Sequence, residues 1–436
     1  MQKWVKIVLT VIAVLAITIS AIRGVGYLFL QEEPDKTRQP ERTKPKLRLD
    51  SNKTYFFVDG KRGNDENPGI QENPWKTLTR ASKTEPISKG TIVIVKQGTY
   101  HEALKPQHSG KPDAPLEFAA YPGHKVILDG QGKLEKGIDL SNRSYTTVRG
   151  FTVTGFTGNG AEAMLKEEQS SIQILNCIIY SNGGHGIYFA GGSKKTAIGC
   201  ITHDNGKDGI RTIRGIDTVL KSNESYRNLD EDGIYFGDYS GVIENNIIHD
   251  QLHSTNPTAH IDGIQLFQHE DDVNGLVLIA RNTFYRIHNM PIMLENYRGV
   301  RIVGNTIYKS NNNGINIKAS PGTKIIDNLI YRPRYAGLYI HKQSTDCQST
   351  GNIIFEAGEG NGWASYGINE DSIAGFSSEQ NLLSKAGSDH IAGFGKQMVD
   401  IVEWQQIGFD KRGGNARDKK RSIEARISGH PDLPKK

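Results

Sequence analysis

The sequence predicts an all-β solenoid, in which short parallel strands stack turn upon turn. Three observations carry this. An apolar motif headed by glycine recurs as HGIYF at 185, DGIRT at 208, DGIYF at 232, DGIQL at 262, NGINI at 313 and AGLYI at 336. A second series, centred on asparagine, runs through Asn176, Gly199, Asn223, Asn246, Asn282, Asn305, Asn328, Asn352 and Asn381, with most gaps 23 or 24 residues. The glycines step by 23, 24, 30, 51 and 23, and Pro291 of MPIML divides the long interval. Two series sharing one period of about 23 residues describe a repeat whose units bury their apolar faces only by stacking. The units carry β-branched alternation and no helical period, so a helical array is excluded.

The elements follow in chain order. Residues 1–30 hold a basic head (Lys3, Lys6), an apolar stretch from Val5 to Ile22, Arg23 and a second apolar patch. This is a signal or a membrane anchor. Gly24 and Gly26 make a poor cleavage site, so the expectation is an uncleaved anchor through residues 5–22, with the body outside the cytoplasm, at the cell membrane or secreted. Residues 31–53 mix proline and charge without apolar periodicity and read as an extended linker. Residues 54–89 form an N-terminal cap, with Trp75, Leu78 and Ala81 on one face of a short capping helix within Pro74 to Ser82. Residues 90–407 form the solenoid, roughly a dozen turns. Residues 408–436 turn polar and basic and are expected to fray.

Composition narrows the class. Glycine makes up 48 of 436 residues, well above the usual share of roughly 7%, and mean hydropathy is −0.50, so the chain is turn-rich and not a multi-span membrane protein. The net charge of +5 arises in the flanks, leaving residues 54–410 at −6. A nucleic-acid surface needs its basic residues on the body, so nucleic acid is excluded as a partner. Cys177, Cys200 and Cys347 are too few for a disulfide framework. Cys177 and Cys200 fall on neighbouring turns and read as packed thiols. A monomer is expected.

Glycine and asparagine at fixed offsets supply positive-φ corners, and asparagines one turn apart can hydrogen-bond along a ladder. These repeats, from about residue 90 to about residue 385, resemble the right-handed parallel β-helix of the pectate lyase-like superfamily. The segment 55–82 followed by GTIVIVKQGTY at 90–100 resembles the opening of many secreted β-helix proteins.

In a stacked core only outward side chains and long loops are available for chemistry. The spacing from Asn246 to Gly263 is 17 and from Gly263 to Asn282 is 19, so loops 249–261 and 268–275 flank DGIQLF. A third enlargement brings Trp363 and Tyr366. The residue two after each glycine should point outward, giving Tyr188, Arg211, Tyr235, Gln265, Met293, Asn316 and Tyr339. The residue four after gives Gly237, Phe267, Glu295, Lys318 and His341. Such a mixture of cation, phenol and carboxylate suits an acidic polysaccharide, although a solvated polar face accounts for each residue singly. Asp208, Asp232 and Asp262 precede consecutive glycines. Ordinary turn chemistry explains aspartate there, and stacked carboxylates otherwise require protons, water or a cation such as Ca²⁺.

The superfamily resemblance implies β-elimination or C5 epimerisation of a uronate polymer. It implies His260, His341 or Lys318 as base, Tyr235 as acid, and Arg211 or Gln265 on the substrate carboxylate. Asn316 and Tyr339 would contact the polymer, and Asp232, Asp262 and Glu295 would be the metal ligands. The chain lacks an Asp-Pro-His-Asp motif. Two alternatives stand beside this: glycoside hydrolysis with Asp232 and Asp262 as paired carboxylates, and a non-catalytic glycan-binding or scaffold β-helix. No organic cofactor is expected.

Overall fold

Each repeat folds as three short strands because branched apolar residues alternate over three or four positions before a turn residue intervenes. The computed structural model describes residues 47–87, 89–166, 170–251, 261–268, 273–274, 276–359, 364–395, 397–431 and 433. The expected anchor and most of the linker therefore lie outside the described residues. Among the described residues no helix is long and apolar enough to cross a membrane.

The strands assemble into three long sheets. The first holds 13 strands, from Thr54–Val58 to Ser377–Glu379, and the second 13, from Gly98–Tyr100 to Gly414–Asn415. The third holds 12, from Ile138–Asp139 to Gln397–Asp400, and its last pair, His390–Phe394 with Gln397–Asp400, is the antiparallel exception to parallel stacking. The expected right-handed parallel β-helix is therefore the observed fold. Successive turns lie in register, as in Ile187↔Ile210↔Ile234↔Ile264↔Ile292↔Ile315. That column is fully buried and forms one wall of the core.

The corner between the first and second sheets explains the asparagine series. Asn305 accepts at Oδ1 from the backbone N–H of Asn282 (2.9 Å) and from its Nδ2 (3.0 Å). Its own Nδ2 donates to the Ile279 carbonyl and to Asn328 Oδ1. The same pattern links Asn223, Asn246, Asn282, Asn305, Asn328, Asn352 and Asn381, and ends on Asp410, which accepts from Asn381 at 2.8 Å. Each ladder residue follows a left-handed residue, such as Ser222, Asn245 or Asp327, at φ near +54°.

Two details of the repeat are corrected. Strand register aligns Cys177 and Cys200, rather than Asn176 and Gly199, with Asn223. Asn176 and Gly199 occupy the left-handed position instead, at φ +51° and +66°, and a Cβ at Gly199 would strike Asn176 Oδ1. Both cysteines are buried free thiols. The glycines heading third-sheet strands do not have positive φ. They are required by close approach, since a Cβ on Gly233 would lie 2.7 Å from the Gly263 carbonyl oxygen of the next turn.

The ends differ from expectation. The N-terminal helix is a single turn, Leu78–Ala81, with its own Leu78 and Ala81 buried, while Trp75 precedes the helix, bridges Val58 and is buried as well. Two longer helices stand at the C-terminal end: Ile401–Gln406, within the range expected to be solenoid, and Lys420–Ser428, where a frayed tail was expected. Ile423, Ile427 and Leu433 pack with Leu329, Tyr331 and Phe355 on the outer face of the second sheet. Trp404 is buried and donates to Asp410 Oδ2 at 2.9 Å, closing the last turn. Within the tail Ile423 and Ile427 stand one helical turn apart, a pattern that the surrounding charge obscures.

Asn305→Ala should cost about 3 kcal/mol in denaturant unfolding, because it leaves several buried ladder partners unsatisfied. Arg301→Ala, on an exposed outward position of a nearby turn, should change stability by less than about 0.5 kcal/mol.

Candidate functional site

The third sheet presents the two outward columns that the motif spacing predicts. Tyr188, Arg211, Tyr235, Gln265, Met293, Asn316 and Tyr339 are aligned strand by strand. Phe267, Glu295, Lys318 and His341 are aligned beside them. Alternation along each strand sends these side chains out while their neighbours fill the core.

The polar members gather at two places. At one end Arg211 Nη1 lies 3.0 Å from Asp208 Oδ2 and 3.4 Å from Glu231 Oε2, and its guanidinium stacks 3.8 Å over the Tyr235 ring. His185 Nδ1 lies 3.1 Å from the same Asp208 oxygen, and its ring stacks on Tyr188. Burial pushes the Tyr235 phenol up to about 12, so it stays protonated at neutral pH. Burial, and then the charge of Asp208, push Glu231 up to about 7.

At the other end Lys318 Nζ pairs with Glu295 Oε1 at 2.5 Å. Asn316 Nδ2 lies 3.3 Å from His341 Nε2, and the His341 ring stacks on Tyr339 at 4.4 Å. Burial, and then the nearby Lys318 charge, hold His341 below the ordinary histidine value, which favours the neutral imidazole. A cavity of about 290 Å³ opens where the strands leave the sheet, lined by Asn296, Arg298, Pro321, Lys342 and Gln343 among others. Arg211 and Lys318 are four strand spacings apart, roughly 19 Å at ~4.8 Å each. Tyr235 and His341 are also four strands apart, so they do not share one reacting centre.

Asp208, Asp232 and Asp262 are buried at 0%, 2% and 1% exposure. Each carboxylate accepts the backbone N–H one turn on: Asp208 from Asp232 and Asp232 from Asp262, both at 2.8 Å, and Asp262 from Met290 at 2.9 Å. They form a second corner ladder, with aspartate where the first has asparagine. Burial and the charges of Asp262 and Asp208 push Asp232 well up. Burial pushes Asp262 up to about 7, opposed by the Met290 N–H. Asp232, Asp262 and Glu295 are not brought together as a ligand set, since Glu295 pairs with Lys318 in another column. Gln265 lies in the outward column between the two clusters. His260, Trp363 and most of the two long loops lie outside the described residues.

The sequence reading missed His185, and the signal was available. His185 precedes Gly186 as Asp208 precedes Gly209, one turn earlier in the same column. It also missed the ladder Asn182, Asn205, Asn228, although these stand 23 apart.

The family described as Pel9A-like, right handed beta helix region, matches residues 56–242, and a right handed beta helix region matches residues 255–396. The chain is a right-handed parallel β-helix protein. The resemblance to the pectate lyase-like superfamily is borne out on this footing. The A-module of a mannuronan C-5 epimerase from Azotobacter vinelandii superposes with TM-score 0.58 at 14% identity, covering 79% of this chain and 99% of that one. XylC in complex with xylose superposes with TM-score 0.56 at 12% identity (71% and 76%). Pectate lyase Pel9A gives 0.51 at 17% identity (76% and 79%). At these identities the likeness is one of fold. The uncharacterized protein YwoF of Bacillus subtilis (strain 168) is 29% identical over 174 residues, 39% of this chain and 32% of that relative, so this β-helix matches about a third of its length.

The ladder sets a pH dependence. Asp262 has a folded value near 7 against an ordinary 3.8, so the folded state binds the extra proton and loses stability as pH rises from about 4 to about 7. An asparagine at this position would accept the same N–H without a charge. Melting curves of Asp262→Asn and wild type should coincide near pH 4 and separate by a few °C in favour of the variant at pH 8.

Proposed function

We propose that this protein acts on an acidic, uronate-containing polysaccharide, by β-elimination or C5 epimerisation, along the outward face of its third sheet. The observation that carries the reading is the cluster of Lys318, Glu295, Asn316 and His341, whose chain neighbours Asn296, Ala319 and Lys342 line a cavity together with Arg298. Cations around a sugar-sized space suit a carboxylated ring, and a neutral imidazole suits proton abstraction. Two structural relatives, a pectate lyase and a mannuronan C-5 epimerase, support an acidic polymer as substrate.

In this reading the polymer lies along the columns, with carboxylates toward Lys318 and, farther along, Arg211. A carboxylate paired with a cation acidifies the neighbouring C5–H, and His341 takes that proton. In elimination the C4–O bond then breaks, a C4=C5 double bond forms and the leaving oxygen gains a proton. In epimerisation a proton returns to C5 from the opposite face. Tyr339 stacks on the imidazole, and the Asn316 amide donates to Nε2, which marks Nε2 as the basic nitrogen that takes the proton once the substrate displaces the amide. Asp232 and Asp262 serve the backbone ladder, so no contact favours them as the paired carboxylates of a hydrolase. Export through residues 5–22 belongs to the same reading, since the polymer would be extracytoplasmic; recovery of full-length protein in the soluble cytoplasm would contradict it.

A panel of polymannuronate, polyguluronate, polygalacturonate and neutral xylan, read for unsaturated product by ultraviolet absorbance and for C5 inversion by NMR, tests the reaction. A uronate polymer should turn over. His341→Ala should lower kcat/KM at least ~100-fold, about 2.7 kcal/mol of transition-state stabilisation, while Arg227→Ala on the second sheet should not. Because the folded His341 value is depressed, the rising limb of the pH–rate profile should fall below pH 6.5. Turnover of xylan alone, or of none of the four, would sink the proposal.

A further inference from the structure

We infer that His185, Asp208 and Glu231 form a binding site for a divalent first-row transition metal ion. The three side chains come from consecutive turns and stand just ahead of three neighbouring third-sheet strands, Ile187–Ala190, Ile210–Ile213 and Ile234–Gly237. One ligand atom from each lies within 4.8 Å of the other two. His185 Nδ1 is 3.1 Å from Asp208 Oδ2 and 3.9 Å from Glu231 Oε2. Ligands held ~2.0–2.2 Å from a zinc-sized ion stand roughly 3.0–3.5 Å from one another, so a small adjustment of Glu231 completes the geometry.

The second observation concerns the imidazole itself. His185 is 9% exposed, and its Nδ1 has no aligned hydrogen-bond partner. A buried ring nitrogen left in this state costs stability unless something occupies the point it faces. Here that point is shared with two carboxylate oxygens. Asp208 is fixed for the task, because its other oxygen accepts the Asp232 N–H at 2.8 Å. An outer contact of this kind orients a ligand before the ion arrives.

The donor set selects the ion. One imidazole and two carboxylates suit Zn²⁺, Mn²⁺ or Co²⁺, whereas Ca²⁺ prefers six to eight oxygens. Arg211 is the competitor: its guanidinium sits 3.0 Å from Asp208 Oδ2 and 3.4 Å from Glu231 Oε2, where it neutralises the same carboxylates. The ion would displace it toward the groove, so affinity should be set partly by that exchange. The site lies about four strand spacings from Lys318 and His341, and it does not depend on the reaction proposed there.

Calorimetric titration of the metal-free full chain with Zn²⁺, Mn²⁺ and Ca²⁺ in turn tests the inference. Zn²⁺ or Mn²⁺ should bind one to one, more tightly than Ca²⁺. His185→Ala and Glu231→Gln should each weaken that binding at least ~100-fold, and Arg211→Gln should tighten it. Glu231 is partly exposed, so its variant keeps the test valid should His185→Ala fail to fold, as judged by circular dichroism. Absence of Zn²⁺ and Mn²⁺ binding in both wild type and Arg211→Gln would overturn the inference. So would binding that survives Glu231→Gln unchanged, or a preference for Ca²⁺.

Discussion

The structure depends on one arrangement repeated at its corners: a buried side-chain carbonyl or carboxylate that accepts the backbone N–H of a neighbouring turn. A solenoid corner turns inward so tightly that its peptide groups lose water without entering a sheet ladder, and unpaired they would cost more than the strands return. The asparagine amide answers both needs, since its oxygen accepts from one turn and its nitrogen donates to the other. Asn223 through Asn381 form an unbroken column of this kind. Cys177 and Cys200 fill the same column in earlier turns, where the Cys200 N–H still donates to Asn223 at 2.9 Å. The ladder therefore starts at residue 223, and thiol packing serves before it.

The same arrangement with aspartate has a different consequence. Asp208, Asp232 and Asp262 accept backbone N–H groups as asparagines would, but each added carboxylate deepens the negative potential in a space closed to water. Burial pushes Asp232 and Asp262 up, so that protons meet part of that charge. Arg211 meets another part at the first rung. A ladder built of asparagine needs no such compensation. The choice of acid over amide at these three corners thus concentrates charge beside the outward face, in the turns that carry Arg211, Tyr235 and Gln265.

Much of this was legible in the sequence because a solenoid translates period directly into position. The period of about 23 residues gave the fold, and counting two or four residues past each glycine gave both outward columns, with Arg211, Gln265, Lys318 and His341 in their observed alignment. What failed was local. Asn176 and Gly199 satisfy the asparagine spacing as well as Cys177 and Cys200 do, and only strand register separates them. Asp262 reads as a groove residue from its spacing, yet the outward direction begins three residues later, and its carboxylate bends back to Met290. The C-terminal helix was hidden by its charge, although Ile423 and Ile427 stand one helical turn apart. The separation of Tyr235 from His341 follows from counting strands, which residue spacing within one repeat does not display.

The groove proposed for chemistry lies on the third sheet, and the second has its outer face occupied. There the rings of Tyr180, His203, Tyr226, His249 and Tyr285 stack in one column at 4.7 to 4.9 Å, with interplanar angles of 3° to 14°. Each ring covers the face of the next, so both faces of His203, Tyr226 and His249 are taken. The histidines are committed as well: His203 Nδ1 lies 2.6 Å from Asp204, and His249 bonds Asp250 at Nδ1 and Glu224 at Nε2. Arg227 and Arg286 engage those aspartates while lying over Tyr226 and Tyr285. Farther along, the C-terminal helix covers Tyr331 and Phe355. A face whose rings, imidazoles and guanidiniums already satisfy one another gains little by exchanging them for a ligand. On the third sheet, by contrast, His185 Nδ1 faces two carboxylates without an aligned partner, a contact that the fold leaves unfinished, while Lys318 is held by Glu295 next to the chain segment that lines the cavity.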